Sequence, residues 1–294
     1  MGERQYVFVY GTLRKHCRNH NCLQGAKLVS EQTRVQGQLV DTGAGYPALL
    51  LDTDGMVYGE LYEIDHSILQ TLDVLEGYDE LRDGNLYERC KQTVFTDMGE
   101  YEAIVYYMNE KNHHSFTEIE CGDWKRYLFE KNEPAYFEYF AFGSCMDTER
   151  FETGGVAHLF EEVTGVGKLD GYELSYSIER PDGSRADINE EEDYVEGIVY
   201  HLPFEALEYL YRREGVYAGL YRPIFVDLQV GEKQLKDVLS FTVVDKQEDT
   251  RPPDHYALEI LRGAQGRVSD EYFEKMKKQM SDLGVDVDQL LKQI

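Results

Sequence analysis

Two Glu-Gly pairs, Glu76-Gly77 and Glu214-Gly215, each close a segment with helical periodicity. A carboxylate at the last turn of a helix meets the partial negative charge of unpaired carbonyls, which raises its pKa. Apolar flanks desolvate it in the same direction. A glutamate lifted from its usual value of about 4.3 suits a general base working near neutral pH. The plain alternative is an exposed Glu ahead of a helix-ending Gly.

A second pattern lies at the ends of two aromatic, apolar strands. YVFVY runs into Gly11-Thr12, and YFAF runs into Gly143-Ser144. A Gly followed by a hydroxyl residue exposes successive backbone N–H groups, a nest for a carboxylate or oxyanion. The alternative is an ordinary strand-to-loop turn. Ser144 lacks the G-x-S-x-G frame of a nucleophile elbow. Cys145 corresponds to Leu13, which excludes a thiol mechanism common to both copies. The cluster HCRNHNC carries His16, Cys17, His20 and Cys22. A structural zinc site needs a second pair of ligands, and the adjacent His113 and His114 are poorly placed to supply one. The cluster reads as a polar loop, and no metal is expected.

These residues recur because the chain repeats itself. Gly59 precedes Glu76 by 17 residues, as Gly197 precedes Glu214; Ala48 and Ala186 each lie 28 residues before their Glu. One offset of 138 relates all three pairs. Two domains of one fold follow, 1–134 and 135–294, joined where Pro134 and charge interrupt the pattern. Before Glu76, Asp65 can cap a helix whose Ile68, Leu72 and Leu75 form one stripe. Before Glu214, Pro203 suits a first helical turn, followed by Phe204, Leu207 and Tyr211. Gly77 and Gly215 suit the left-handed position that ends a helix. Alternating patterns predict strands over 35–40, 93–95, 103–108, 223–228 and 238–244, and a helix over 270–284. The fold class is α+β, with strands in the majority.

The charge of −26 argues against nucleic acid and anionic membranes, which need a basic footprint. The split leaves 13 basic against 23 acidic residues in the first half and 17 against 33 in the second, so neither half is a basic module. No apolar run approaches the roughly 18 residues of a membrane span, and MGERQYVFV lacks a signal-peptide layout. Five cysteines without a framework read as reduced thiols in a cytoplasm. No pattern specifies an oligomeric state.

With VYGTLR, DTGAGYPALL, VYGELYEI, LDVLEGYDE, LYERC and ECGDW, the first half resembles the γ-glutamylamine cyclotransferase branch of the γ-glutamylcyclotransferase-like proteins. Through YFAFGS, TERF, REGVYAGLYRP and RPPDHYALEILRGAQ, the second half resembles the branch that acts on γ-glutamyl amino acids. The resemblance implies two small, twisted, mixed β-barrels with a few helices. It implies that a backbone loop cradles the glutamyl group: Tyr10, Gly11, Thr12 and Leu13 in the first domain, Tyr139, Phe140, Ala141, Phe142, Gly143 and Ser144 in the second. Glu76 and Glu214 take the acid/base role, and Tyr221 and Tyr256 match tyrosines that line the family's pocket. Two departures stand out. Cys145 follows Ser144 where the family continues with Asn, and Asp182-Gly183-Ser184-Arg185 replaces a Gly-Gly segment.

The implied reaction closes a γ-glutamyl compound on itself. The α-amine attacks the γ-carbonyl, 5-oxoproline forms, and the amine leaves. The step is intramolecular, and neither a cofactor nor a covalent intermediate is required. The implied partner is a small γ-glutamyl substrate. The rival is a module that binds γ-glutamyl or other carboxylate metabolites without turnover. In a third reading one domain catalyses and the other serves structure or regulation; the first is then favoured, its motifs lying nearer the family pattern.

Overall fold

β1 (Gln5–Val9) is buried on both faces. Val7 and Val9 join one hydrophobic cluster, while Phe8 and the following Tyr10 join another. A strand covered on both sides reads as an unbroken apolar run, which is what YVFVY is. The computed structural model containing it describes residues 4–51, 53–108 and 116–294. By its internal contacts the chain divides into two units, Met1–Asn132 and Glu133–Ile294.

In the first unit β1 is followed by β2 (Lys27–Gln36), β3 (Gln38–Asp41), β4 (Pro47–Leu50), β5 (Met56–Ile64) and α1 (His66–Glu76). Then come β6 (Glu88–Thr96), β7 (Gly99–Tyr107), β8 (Thr117–Glu118) and α2 (Trp124–Asn132). The strands β1-β5-β2-β6-β7 form a closed barrel, and β4-β3-β8 form a separate small sheet. β1 pairs antiparallel with β5 and parallel with β7, so the barrel is mixed.

The second unit contains β9 (Tyr136–Ala141), α3 (Thr148–Thr153), β10 (Val163–Arg180), β11 (Gly183–Pro203), α4 (Ala206–Arg213), β12 (Tyr221–Val230) and β13 (Lys233–Val243). Three helices follow: α5 (Asp254–Ala264), α6 (Asp270–Asp282) and α7 (Val287–Leu291). Its barrel runs β9-β11-β10-β12-β13, the order of the first barrel with β9 in the place of β1. The closing pair, β13 with β9, is again parallel. The repeat in the sequence is therefore a repeat of topology. Among the described residues no helix is long and apolar enough to cross a membrane.

α1 begins as its sequence specifies. The Asp65 carboxylate accepts from the backbone N–H of Ser67 at 2.9 Å and of Ile68 at 3.0 Å. Gly77 ends the helix at φ +67°, and Gly215 holds φ +64° after α4. Replacing Asp65 with Ala is expected to destabilise the first unit by removing this cap. Denaturant unfolding measures it, and an unchanged midpoint would contradict the cap.

Several expectations are corrected. The segment 35–40 is not one strand. It breaks at Gly37, whose N–H donates to the Gly55 carbonyl, and its two parts enter different sheets. Pro203 is not in a first helical turn. It ends β11 opposite Tyr136, and α4 starts three residues later. The long β10–β11 hairpin exceeds any strand read from the alternation, and α5 was not among the expected helices.

Candidate active site

The first-unit site is built where β1 stops. Past Val9 the chain turns, with the Arg14 N–H donating to the Gly11 carbonyl at 3.0 Å. Arg14 is buried between two carboxylates, Glu60 of β5 (3.1 Å) and Asp123 just before α2 (2.8 Å). The Lys15 N–H donates to the second Glu60 oxygen at 2.8 Å. This charged anchor fixes the far end of the loop Tyr10–Leu13. Its near end is fixed by the Tyr10 phenol, which donates to the Tyr106 carbonyl and accepts from the Leu49 N–H. Both phenol contacts are to backbone, so Tyr10 holds the wall of the site, and burial pushes its pKa up.

The loop HCRNHNC folds back over this turn. Asn19 donates from its backbone N–H to the Thr12 carbonyl (2.9 Å) and from its side chain to Thr12 Oγ1 (3.0 Å). His20 Nδ1 lies 3.0 Å from the Leu13 carbonyl. No three of His16, Cys17, His20 and Cys22 bring ligand atoms together, and none of the five cysteines is in a disulfide. His113 and His114 lie outside the described residues. The polar loop also contributes to the site, because Arg18 and Asn19 line the cavity.

That cavity holds about 220 Å³. Tyr10, Gly11, Thr12, Leu13 and Glu76, 63 residues apart in the chain from Leu13 to Glu76, all line it. Tyr46, Pro47, Leu75 and Tyr87 also line it. Gly11 is required by contact: a Cβ there would stand 2.7 Å from the Pro47 ring. Tyr87, which the sequence reading missed, donates its hydroxyl to the Pro47 carbonyl at 2.7 Å. Among the described residues no hydrogen bond engages the backbone N–H of Thr12 or Leu13. The side chain of Glu76, the last residue of α1, likewise has no hydrogen bond or ion pair there. It is half-buried, and burial alone lifts its carboxyl to about 7.

The second unit repeats the plan with altered parts. Tyr139, Phe142, Gly143, Ser144, Glu214, Tyr221 and Tyr256 line one cavity together with Cys145. Phe140 and Ala141 do not line it. They stay in β9, with Phe140 fully buried and its carbonyl accepting from Ser240 Oγ. Phe142 stands where the first unit has Tyr10 and lacks its hydroxyl. Tyr256, from α5, supplies the missing acceptor: the Ala186 N–H donates to its phenol at 3.1 Å. Burial pushes that phenol up to about 12. Tyr221 donates to the Ala186 carbonyl at 2.7 Å, as Tyr87 does to that of Pro47.

The two departures fall differently. Arg185 pairs with Asp182, lies over the Tyr256 ring, and is not in the cavity lining. Cys145 is in the lining: its thiol donates to Glu214 Oε1 at 3.4 Å and accepts from Arg213 Nε at 2.9 Å. Arg213 was not singled out from the sequence. The signal was the offset of 138, which sets it against Leu75. Burial raises the Glu214 carboxyl, while Arg213, with Nε 3.9 Å away, pulls it back down.

Comparison with known proteins accounts for both units. A family model described as "Gamma-glutamyl cyclotransferase, AIG2-like" matches residues 7–126, and one described as "AIG2-like family" matches 194–276. YkqA of Bacillus subtilis, named only provisionally as a gamma-glutamylcyclotransferase, is 42% identical over 283 residues, covering 94% of this chain and 98% of that protein. Its crystal structure superposes with a TM-score of 0.87 at 40% identity, over 96% of this chain and 99% of that one. The gamma-L-glutamyl-butirosin B gamma-glutamyl cyclotransferase of Niallia circulans is 38% identical over 122 residues, 41% of this chain and 76% of that protein.

Proposed function

The chain belongs to the AIG2-like gamma-glutamylcyclotransferase family, and from that premise we propose that its first domain cyclises γ-glutamyl compounds to 5-oxoproline with release of the amine. The observation that carries this is Glu76. It is a half-buried carboxyl without a partner among the described residues, lifted to about 7, and it lines the same cavity as the Gly11–Leu13 loop.

The substrate's glutamyl group curls in the cavity with its α-ammonium toward Glu76. The Glu76 carboxylate takes one proton from the ammonium, and the freed amine attacks the γ-carbonyl carbon. A ring C–N bond forms as the carbonyl oxygen gains negative charge. The open N–H groups of Thr12 and Leu13 are the donors for that oxyanion. Collapse breaks the bond to the leaving nitrogen as Glu76 returns its proton there. The ring nitrogen gives up its second proton to the same carboxylate, which passes it to the departing amine, so the products are the neutral lactam and an ammonium. One group of pKa near 7 can accept and then donate at neutral pH. Holding the two ends of one molecule together removes much of the entropic cost. Glu214 is assigned the same role in the second domain. A cytoplasmic setting fits the five free thiols.

A panel of γ-glutamyl amines and γ-glutamyl amino acids, assayed for 5-oxoproline, tests the reading. Release from at least one compound is expected. If no member of either class yields 5-oxoproline, the domain is a binding module and the catalytic reading fails.

A further inference from the structure

Leu75 and Arg213 occupy corresponding positions, each directly before the glutamate that ends its helix. Leu75 lines the first cavity beside Glu76. The Arg213 guanidinium instead reaches across the second site. Nη2 donates to Ser144 Oγ at 2.7 Å and Nε to Cys145 Sγ at 2.9 Å, with Glu214 Oε1 at 3.9 Å. All three of those partners line the inner cavity. On its other side Arg213 lines an outer basin of about 430 Å³ with Arg150, Tyr209, Glu259 and Arg262. The guanidinium thus lies between the basin, which it lines, and the three side chains that line the inner cavity. The inner cavity holds only about 30 Å³, against about 220 Å³ in the first unit. The inner cavity is thus several times smaller than its counterpart beside Glu76.

The two changes from the first unit form one device. Cys145 replaces Leu13 and Arg213 replaces Leu75, and the two new side chains bond each other. Ser144 Oγ, in the place of Thr12 Oγ1, is held by the guanidinium rather than by an asparagine. We propose that Arg213 decides admission to the second domain: by closing the space that Leu75 leaves open in the first, it excludes the γ-glutamyl compounds that the first domain turns over. The inference rests on the catalytic reading only for its turnover arm.

The test uses the full chain and two readouts. In the first, Cys145 is alkylated with iodoacetamide and followed by peptide-resolved mass spectrometry. The guanidinium beside Cys145 favours its thiolate, and burial opposes it. Removing Arg213 therefore makes the thiol intrinsically less reactive, and faster alkylation can only report access. Arg213→Leu is expected to speed alkylation of Cys145 at least tenfold. Arg213→Met, which keeps the stem and loses the guanidinium, guards against a folding defect.

In the second readout Glu76→Gln silences the first domain. Its residual 5-oxoproline release is expected to stay near background, and adding Arg213→Leu is expected to raise it at least tenfold on the same compound. Adding Glu214→Gln as well should return it to background. The proposal is overturned if Cys145 alkylation is no faster in either Arg213 variant. Wild-type-like turnover by Glu76→Gln overturns it too, as does faster alkylation without a gain in turnover when the wild type is active. If the wild type releases no 5-oxoproline at all, the catalytic reading fails while the alkylation rates still decide whether Arg213 closes the cavity.

Discussion

Replacing Glu76 with Gln is expected to lower 5-oxoproline release by about 10³-fold, within the 10²–10⁴ that a positioned acid/base contributes. The amide keeps the shape of the side chain and can neither take the ammonium proton nor return one. The pH dependence carries the same information. The first step needs the carboxylate, and the carboxyl is lifted to about 7. Wild-type kcat/KM should therefore fall roughly tenfold per unit as pH drops below 7, whereas an ordinary Glu would titrate near 4.3. The variant should lose that limb. Stability gives an independent check. Between the usual value and 7 the folded state holds a proton that the unfolded state has released, so stability falls as pH rises through that window. Glu76→Gln removes the penalty. Discounted for partial exposure, it should stabilise the first unit by about 1–2 kcal/mol at pH 8 and by almost nothing at pH 4. A wild-type profile flat from pH 5 to 8 would remove Glu76 from the role.

How far this site was legible depends on the range of each signal. Glu76 and Glu214 could be found because the end of a helix is written locally, in a cap, a stripe and a Gly, and because the repeat wrote it twice. Gly11-Thr12 and Gly143-Ser144 could be found for the same reason. Tyr87 and Arg14 could not be ranked from local pattern. Their roles lie in partners distant in sequence: the carbonyl of Pro47, and the carboxylates of Glu60 and Asp123. The break at Gly37 was hidden because the segments on either side of it are both strands, and an alternation does not say which sheet it joins. Phe140 and Ala141 sit in the same apolar run as Tyr139, but that run points its residues into different environments.

The largest consequence of the repeat was the least visible in sequence. The offset that matched Glu76 with Glu214 also matched Leu75 with Arg213. Alone, an arginine in the last turn of a helix is an expected complement to the helix dipole. Only its reach to Ser144 and Cys145 sets it against the lining of the second cavity. Two sites that share a fold and a glutamate thus differ in the volume before that glutamate.

The glycines that made the repeat visible predict the other large effect. Gly59 of β5 lies beside β1, where an added Cβ would stand 2.3 Å from the Val9 carbonyl oxygen and 2.8 Å from the Phe8 ring. The oxygen is backbone, so no rotamer change relieves the clash, and β1 must move. Gly197 repeats the arrangement, with its Cβ 2.3 Å from the Ala141 oxygen and 2.9 Å from the Phe140 ring. Overpacking of this kind costs about 3 kcal/mol, which lowers the melting temperature of a unit of this size by roughly 10 °C. Gly59→Ala should destabilise the first unit and also lower its turnover, because β1 carries Tyr10–Leu13 at its end. Gly197→Ala should destabilise the second unit and leave Glu76-dependent turnover intact. Calorimetry with both variants, paired with 5-oxoproline assays, separates the two. If Gly59→Ala melts within about 2 °C of the wild type, a shift worth under 1 kcal/mol, the contact between β5 and β1 does not set the position of the loop.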